Sequence, residues 1–368
     1  MIHTYPNSII YVLCPAKIVT GGIEAVHQLV DQLRRAGHTA KIVPLPLVSN
    51  PFLLQYRNYD VEFASQIEDH ERNILITTEV NPRELDHYRF IQKALWWLSV
   101  DNHENLQEQF DFSNPANNQI CHFAQSAYAH AFLSKKGITD IHYLSDYLHQ
   151  DYFKPVLERK NNLVLYTPVK GADAIVNPLI QADPSLQWLP LRGMIRKMHA
   201  RTLRQGKVYV DFGSHPGKDR QPREAAANGC CVIVGLRGSA RFFADIPIPE
   251  AYTFDVGQLK KAAILSTIKS CLVDYEQRIH DFADYAASIR REKRRFAQEV
   301  IAIFGAKTPR QKRSSHGIAL ANTWSFIRQN DVVTSARGLI NEFLPVEFKT
   351  ALQTITSLGT DQPQKGDG

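Results

Sequence analysis

Apolar and polar positions along the chain follow two alternating periods. An unbroken apolar run at 9–14 is followed by a loop at 15–20 that ends in Gly21-Gly22. Behind the glycines, apolar residues recur at Ile23, Val26, Leu29, Val30 and Leu33. The run has the pattern of a buried strand and the spaced set that of one helix face, so a strand and a helix over 23–36 are predicted. Gly37 closes that helix and a second strand begins at 39–43. Further strand patterns stand at 73–77 and 94–100, with helical stretches at 82–91 and 127–136. Strand and helix in turn predict an α/β fold with a mainly parallel sheet.

The chain turns polar around 147–159, and Pro155 lies within that stretch. A second alternation then starts, with strands expected at 163–167, 208–212 and 230–234. The predicted organisation is an N-terminal Rossmann-like domain over 1–155 and a second over 156–306. A basic linker with C-terminal helices at 320–327 and 332–356 follows, then a tail at 357–368. A long amphipathic stretch, 258–304, reads as two helices.

Residues 208–235, VYVDFGSHPGKDRQPREAAANGCCVIVG, carry the clearest chemical signal. Val208, Val210 and Phe212 alternate as in a strand, and Gly213, Pro216, Gly217 and Pro222 interrupt regular structure. Pro222 and the alanines behind it start a helix, which Gly229 ends before an apolar strand run. Lys218, Arg220 and Arg223 fall within six residues of the loop and helix start. A helix N-terminus attracts anions, and neighbouring cations strengthen that attraction. The expectation is a phosphate-bearing ligand at the carboxyl end of a strand.

At 368 residues, 44% hydrophobic and 22% charged, the composition is that of a globular protein large enough for two cores. The net charge is +6, yet the segment 290–313 holds nine basic and two acidic residues, so the remainder is close to neutral. The five cysteines show no zinc spacing, and adjacent Cys230-Cys231 fit a reduced core strand. No apolar run has transmembrane length. A cytoplasmic protein is expected, with the basic segment either a solvated face or a contact to an anionic inner leaflet. Nucleic-acid binding is not expected, because no aromatic residues interleave the cations.

Three stretches resemble the nucleotide-sugar glycosyltransferases of the two-Rossmann-domain GT-B architecture, in particular their retaining, bacterial polysaccharide-type group. GGIEAVHQLVDQLRRAGHTAKIV (21–43) is similar to the glycine loop, first helix and second strand of that group. ICHFAQSAYAHAFLSKKGITDIHYLSDYLHQDYFKP (120–155) resembles the end of its first domain, and PREAAANGCCVIVG (222–235) its donor-site helix and following strand. The order and spacing of the three carry more weight than any one of them.

The resemblance implies two lobes with parallel sheets facing a central cleft. It implies transfer of a sugar from a nucleotide-diphosphate-sugar to a glycan or lipid-linked acceptor in surface polysaccharide biosynthesis. Glu224 matches the carboxylate that binds the ribose hydroxyls. Gly21 and Gly22 match the loop that lets backbone approach the donor. Lys170 matches the lysine that neutralises the diphosphate and assists its departure in place of a metal. No cofactor is implied, the nucleotide-sugar being a substrate, and no DxD-type metal motif is present. The group often carries a second glutamate eight residues before the one matching Glu224, where this chain has Pro216. His215 or Asp219 is the expected substitute, with Lys218, Arg220 and Arg223 as further donor contacts.

In the first domain Asp101, Asn102 and His103 follow a strand-like run and are expected at the cleft edge. Asp101 and His103 are the candidates for orienting or deprotonating the acceptor, against the plainer reading of a strand-end turn. Glu79 ends its strand in the same way, while Trp96 and Trp97 read as core aromatics. Two other functions stay open. One is a nucleotide-sugar epimerase or a phosphorylase of the same fold. The other is a non-catalytic transferase-like binding module.

Overall fold

The first apolar run forms strand β1 (Ile9–Pro15), buried from Ile10 to Cys14. Helix α1 (Gly21–Arg35) follows, capped by Thr20, whose Oγ1 accepts a hydrogen bond from the Ile23 N–H at 3.3 Å. The whole predicted stripe of Ile23, Val26, Leu29, Val30 and Leu33 is buried. The first lobe continues through β2 (Thr39–Leu45), β3 (Ile74–Thr78), β4 (Gln92–Trp97), α2 (Val100–Glu104), β5 (Cys121–Ala124), α3 (Ala127–Lys135) and β6 (Ile141–Tyr143). Its six strands pair in parallel in the order β2-β1-β3-β4-β5-β6.

This computed structural model describes residues 2–48, 51, 53–107, 109–155, 159–169 and 171–307. The expected C-terminal helices at 320–327 and 332–356, the tail at 357–368, residues 308–313 of the basic segment, and Lys170 lie outside the described residues.

The second lobe comprises β7 (Asn161–Tyr166), α4 (Asp173–Ala182), β8 (Gln187–Pro190), α5 (Arg196–Gln205), β9 (Gly206–Asp211), α6 (Arg220–Ala227), β10 (Cys231–Gly235) and β11 (Thr253–Phe254). These strands are also all parallel, in the order β11-β10-β9-β7-β8. The strand order reverses between β1 and β3 in one sheet and between β7 and β9 in the other. Ligands bind beyond the carboxyl ends of strands at such points. The five cysteines are buried and unpaired.

Several boundaries differ from the periodic reading. The stretch 82–91 is a 3-10 turn over Pro82–His87, within which only Pro82 and Leu85 bury and no stripe supports a full helix. The strand expected at 94–100 stops at Trp97, and Val100 opens α2. The stretch 258–304 forms α7 (Lys261–Val273), α8 (Tyr275–Arg278), α9 (Ala283–Arg290) and α10 (Glu292–Phe304) rather than two helices. The breaks let the apolar face change lobes. Tyr275, Phe282, Tyr285 and Ile289 join the second core, whereas Phe296, Val300 and Phe304 join the first.

Residues 292–304, assigned from sequence to the second domain, therefore pack on the first. The end of the chain's described part is tied there by His38 Nε2 to the Gly305 carbonyl at 2.9 Å, and by the Lys307 N–H to the Ala36 carbonyl at 2.9 Å. Both lobes lie within one compact unit, Met1–Arg310.

Candidate functional site

The loops after β1, β4 and β5 meet the loops after β9 and β10. Gly217 is pressed against the first lobe so closely that a Cβ there would stand 1.8 Å from the Leu98 carbonyl oxygen. Only glycine fits that approach. On the next loop, Asp245 accepts hydrogen bonds from the Ala127 and Tyr128 N–H groups at the start of α3, at 2.8 and 3.0 Å.

Between these contacts lies a lattice of buried charges. Arg223, 1% exposed, donates to Asp146 at 2.8 Å and to Glu292 at 2.9 Å. Arg220 bonds Glu24 at 2.5 Å and Asp146 at 3.0 Å, and Lys218 bonds Glu292 at 2.9 Å. Arg196, from the start of α5, reaches the other oxygen of Glu24 at 3.0 Å. Burial alone would raise the Asp146 pKa, but Arg223, Arg220 and Lys218 outweigh it and hold the carboxyl below the usual range. Glu24 is lowered in the same way by Arg220 and Arg196 against its burial.

This arrangement sets the electrostatic state of the cationic loop. Lys218, Arg220 and Arg223 do come together, but three carboxylates from elsewhere in the chain already meet their charges. The Arg220 side chain also packs across the glycine turn, its Cδ 3.0 Å from where a Gly21 Cβ would stand. Gly21 therefore admits an arginine, and Gly22 has only ordinary contacts, the nearest being Leu98 Cδ1 at 3.5 Å.

Glu224 lies on α6 at the edge of this lattice. Its Oε2 is 3.7 Å from His199 Nδ1, and Tyr152 hydrogen-bonds its carboxyl. Burial pushes Glu224 up to about 7 against the pull of Arg220, and burial pushes His199 down to about 4. At neutral pH the imidazole is thus uncharged and the carboxyl is poised between its two forms.

The remaining candidates are spread more widely. His215 is fully buried between two carboxylates of its own lobe, with Nδ1 3.5 Å from Asp219 and Nε2 3.8 Å from Asp211. Asp219 itself stands at the N-cap of α6. His215 has no exposed surface with which to stand in for the missing glutamate, whereas Asp219 is half-buried. His103 points into the first core, not the cleft. Its ring packs on Trp97 at 4.8 Å, its Nε2 accepts from the Phe110 N–H at 2.9 Å, and burial pushes it down to about 4. Asp101 is half-buried and accepts from the Tyr128 hydroxyl at 2.5 Å. Asn102 is exposed. Lys170 lies outside the described residues.

Glu79 is 2% exposed at the end of β3, where burial pushes its carboxyl up to about 8, although the Leu98 N–H donates to it at 2.8 Å. An unfolded glutamate titrates near 4.3, so between about 4.5 and 8 the folded state holds a proton that the unfolded state releases. Stability should therefore fall by a few kcal/mol as pH rises through that window. Glu79→Gln keeps the acceptor for Leu98 and should flatten the profile. Melting both proteins at pH 5, 6.5 and 8 checks this, and parallel curves would refute it.

Of the basic segment, Arg290, Arg291, Lys293, Arg294 and Arg295 are exposed. Among the described residues no helix is long and apolar enough to cross a membrane, and no acidic, histidine and cysteine cluster has the makings of a metal site. The sequence reading missed Glu24, Asp146, Arg196, His199, Tyr152 and Glu292. Nothing in their neighbours along the chain marks them, since each acquires its partner from more than 20 residues away.

No protein-family model matches the chain, and no curated protein matches its sequence. Solved structures do. A glycosyltransferase from Rickettsia africae ESF-5 superposes with a TM-score of 0.55 at 14% identity, over 81% of this chain and 99% of that one. HepE from Anabaena, solved in complex with UDP-glucose, gives 0.55 at 13% identity over 80% and 98%. Sucrose-phosphate synthase from Thermosynechococcus elongatus gives 0.51 at 14% over 88% and 99%. Likeness at such identities is a likeness of architecture. With two parallel sheets meeting at their carboxyl edges and helix α10 returning to the first lobe, this chain has the GT-B fold of the nucleotide-sugar glycosyltransferases.

Proposed function

We propose that this protein is a glycosyltransferase that moves a sugar from a nucleotide-diphosphate-sugar to a glycan or lipid-linked acceptor in surface polysaccharide biosynthesis. The observation that carries this reading is Glu224, a buried carboxyl beyond the carboxyl end of β9 with a pKa near 7. A carboxylate there is suited to accept hydrogen bonds from two ribose hydroxyls. The UDP-glucose complex of HepE, which shares the fold, supports a nucleotide-sugar as donor. In this reading the second lobe holds the donor and Lys170 meets the departing diphosphate, without a metal. Asp101, held by Tyr128 after β4, faces the acceptor as its base or orienting group.

Calorimetric titration of the full chain with UDP, GDP, ADP and dTDP, with and without EDTA, tests this. One base should be preferred and chelation should change nothing. The charge-matched lattice and Pro216 favour a non-catalytic module as the second reading, for which none of the four nucleotides should bind. The exposed cations at 290–295 support contact with an anionic membrane. Flotation with anionic liposomes at low salt should carry the protein upward, and a protein left in the bottom fraction ends that part of the proposal.

A further inference from the structure

With Lys218, Arg220 and Arg223 matched by carboxylates, a different cation commands the carboxyl edge of the second sheet. Arg237 follows β10, and its guanidinium extends back over the neighbouring strand to the Phe212 carbonyl, 3.5 Å away beyond the end of β9. The same Nη1 lies 3.7 Å from where a Gly171 Cβ would stand, at the turn that follows β7. Arg237 therefore spans β10, β9 and β7, across the point where the strand order reverses. It is half-buried, and no carboxylate among the described residues pairs with it.

The turn that carries Arg237 is closely packed. Gly238 has φ +48°, and a Cβ on it would stand 1.9 Å from the His215 carbonyl oxygen. The adjoining Ser239 is fully buried, its N–H donates to that same carbonyl at 2.9 Å, and its hydroxyl has no hydrogen-bond partner among the described residues. On the far side, the Phe242 ring lies 5.6 Å from Tyr128 of the first lobe, the residue that holds Asp101.

We infer that Arg237 is a donor-binding residue, its guanidinium taking the diphosphate of the nucleotide-sugar at the β7–β9 reversal. This rests on the proposed function and adds a second side chain of the second lobe to the phosphate contact proposed there for Lys170. A guanidinium is planar and permanently charged, so it can grip two phosphate oxygens at once. The Phe212 carbonyl it now touches is a neutral acceptor that the anion would replace or join.

The test is calorimetric titration of the full chain with the nucleoside, monophosphate and diphosphate of uracil, guanine, adenine and thymine, for wild type, Arg237→Gln and Arg237→Lys. In the preferred series Arg237→Gln should weaken the diphosphate about 10- to 100-fold and leave the nucleoside within about threefold. Arg237→Lys should recover part of the loss, which also guards against a glutamine variant that folds poorly. Unchanged diphosphate affinity in both variants would overturn the inference alone. So would an equal loss of nucleoside and diphosphate, the signature of a displaced loop. Wild type that binds none of the four diphosphates would overturn the proposed function and this inference together.

Discussion

Asp146→Ala should lower the unfolding free energy by about 3–5 kcal/mol, the largest stability effect expected of any single change in this protein. Asp146 is completely buried and accepts from two arginines, one on each carboxylate oxygen. Removing it leaves Arg223 with Glu292 and Arg220 with Glu24, so two buried guanidinium groups each lose half their compensation. The loss should exceed that from any exposed pair, such as Arg83–Asp86, where water already solvates both ions. Because the Asp146 pKa is lowered in the folded state, its contribution is present above the unfolded value and disappears as pH falls through the folded one. Urea unfolding at pH 7 measures the effect, and a change below about 1 kcal/mol would mean that the lattice does not hold the lobes. Replacing Asp146 and Arg223 together by apolar residues should cost less than Asp146→Ala, since no unpaired Arg223 charge then remains.

Glu224→Ala should weaken nucleotide diphosphate binding about 100-fold, by removing a charged acceptor from two hydroxyls. The ionised form does the binding, and the carboxyl titrates near 7. Affinity should therefore rise by up to about tenfold between pH 6 and pH 8. Glu224→Gln should abolish that rise while keeping one acceptor. Titrating wild type and both variants at the two pH values separates the charge from the shape of the side chain. Equal affinity for wild type and Glu224→Ala at pH 8 would remove Glu224 from the site.

The architecture was legible because it rests on local periodicity. The stripe from Ile23 to Leu33, the run over 9–14 and the strand–loop–helix signal at 208–235 all became the elements their patterns imply. Where periodicity was weak the reading failed. Residues 82–91 bury too little to sustain a helix. The stretch at 258–304 changes lobes partway, which no single period encodes. In the site, a loop dense in cations was visible, but its electrostatic state was not.

Sequence alone determined two α/β lobes, the position of the loop after β9 and the helix that carries Glu224, since backbone hydrogen bonding and apolar spacing act over a few residues. Only the tertiary structure decided which charges remain available. Glu24, Asp146 and Glu292 lie 196, 77 and 69 positions from the arginines they meet. Coulombic pairing depends on distance in space and on exclusion of water, and neither is written in the order of the residues. The same folding that matches Arg220 and Arg223 with carboxylates leaves Arg237 beside a carbonyl at the reversal of the second sheet.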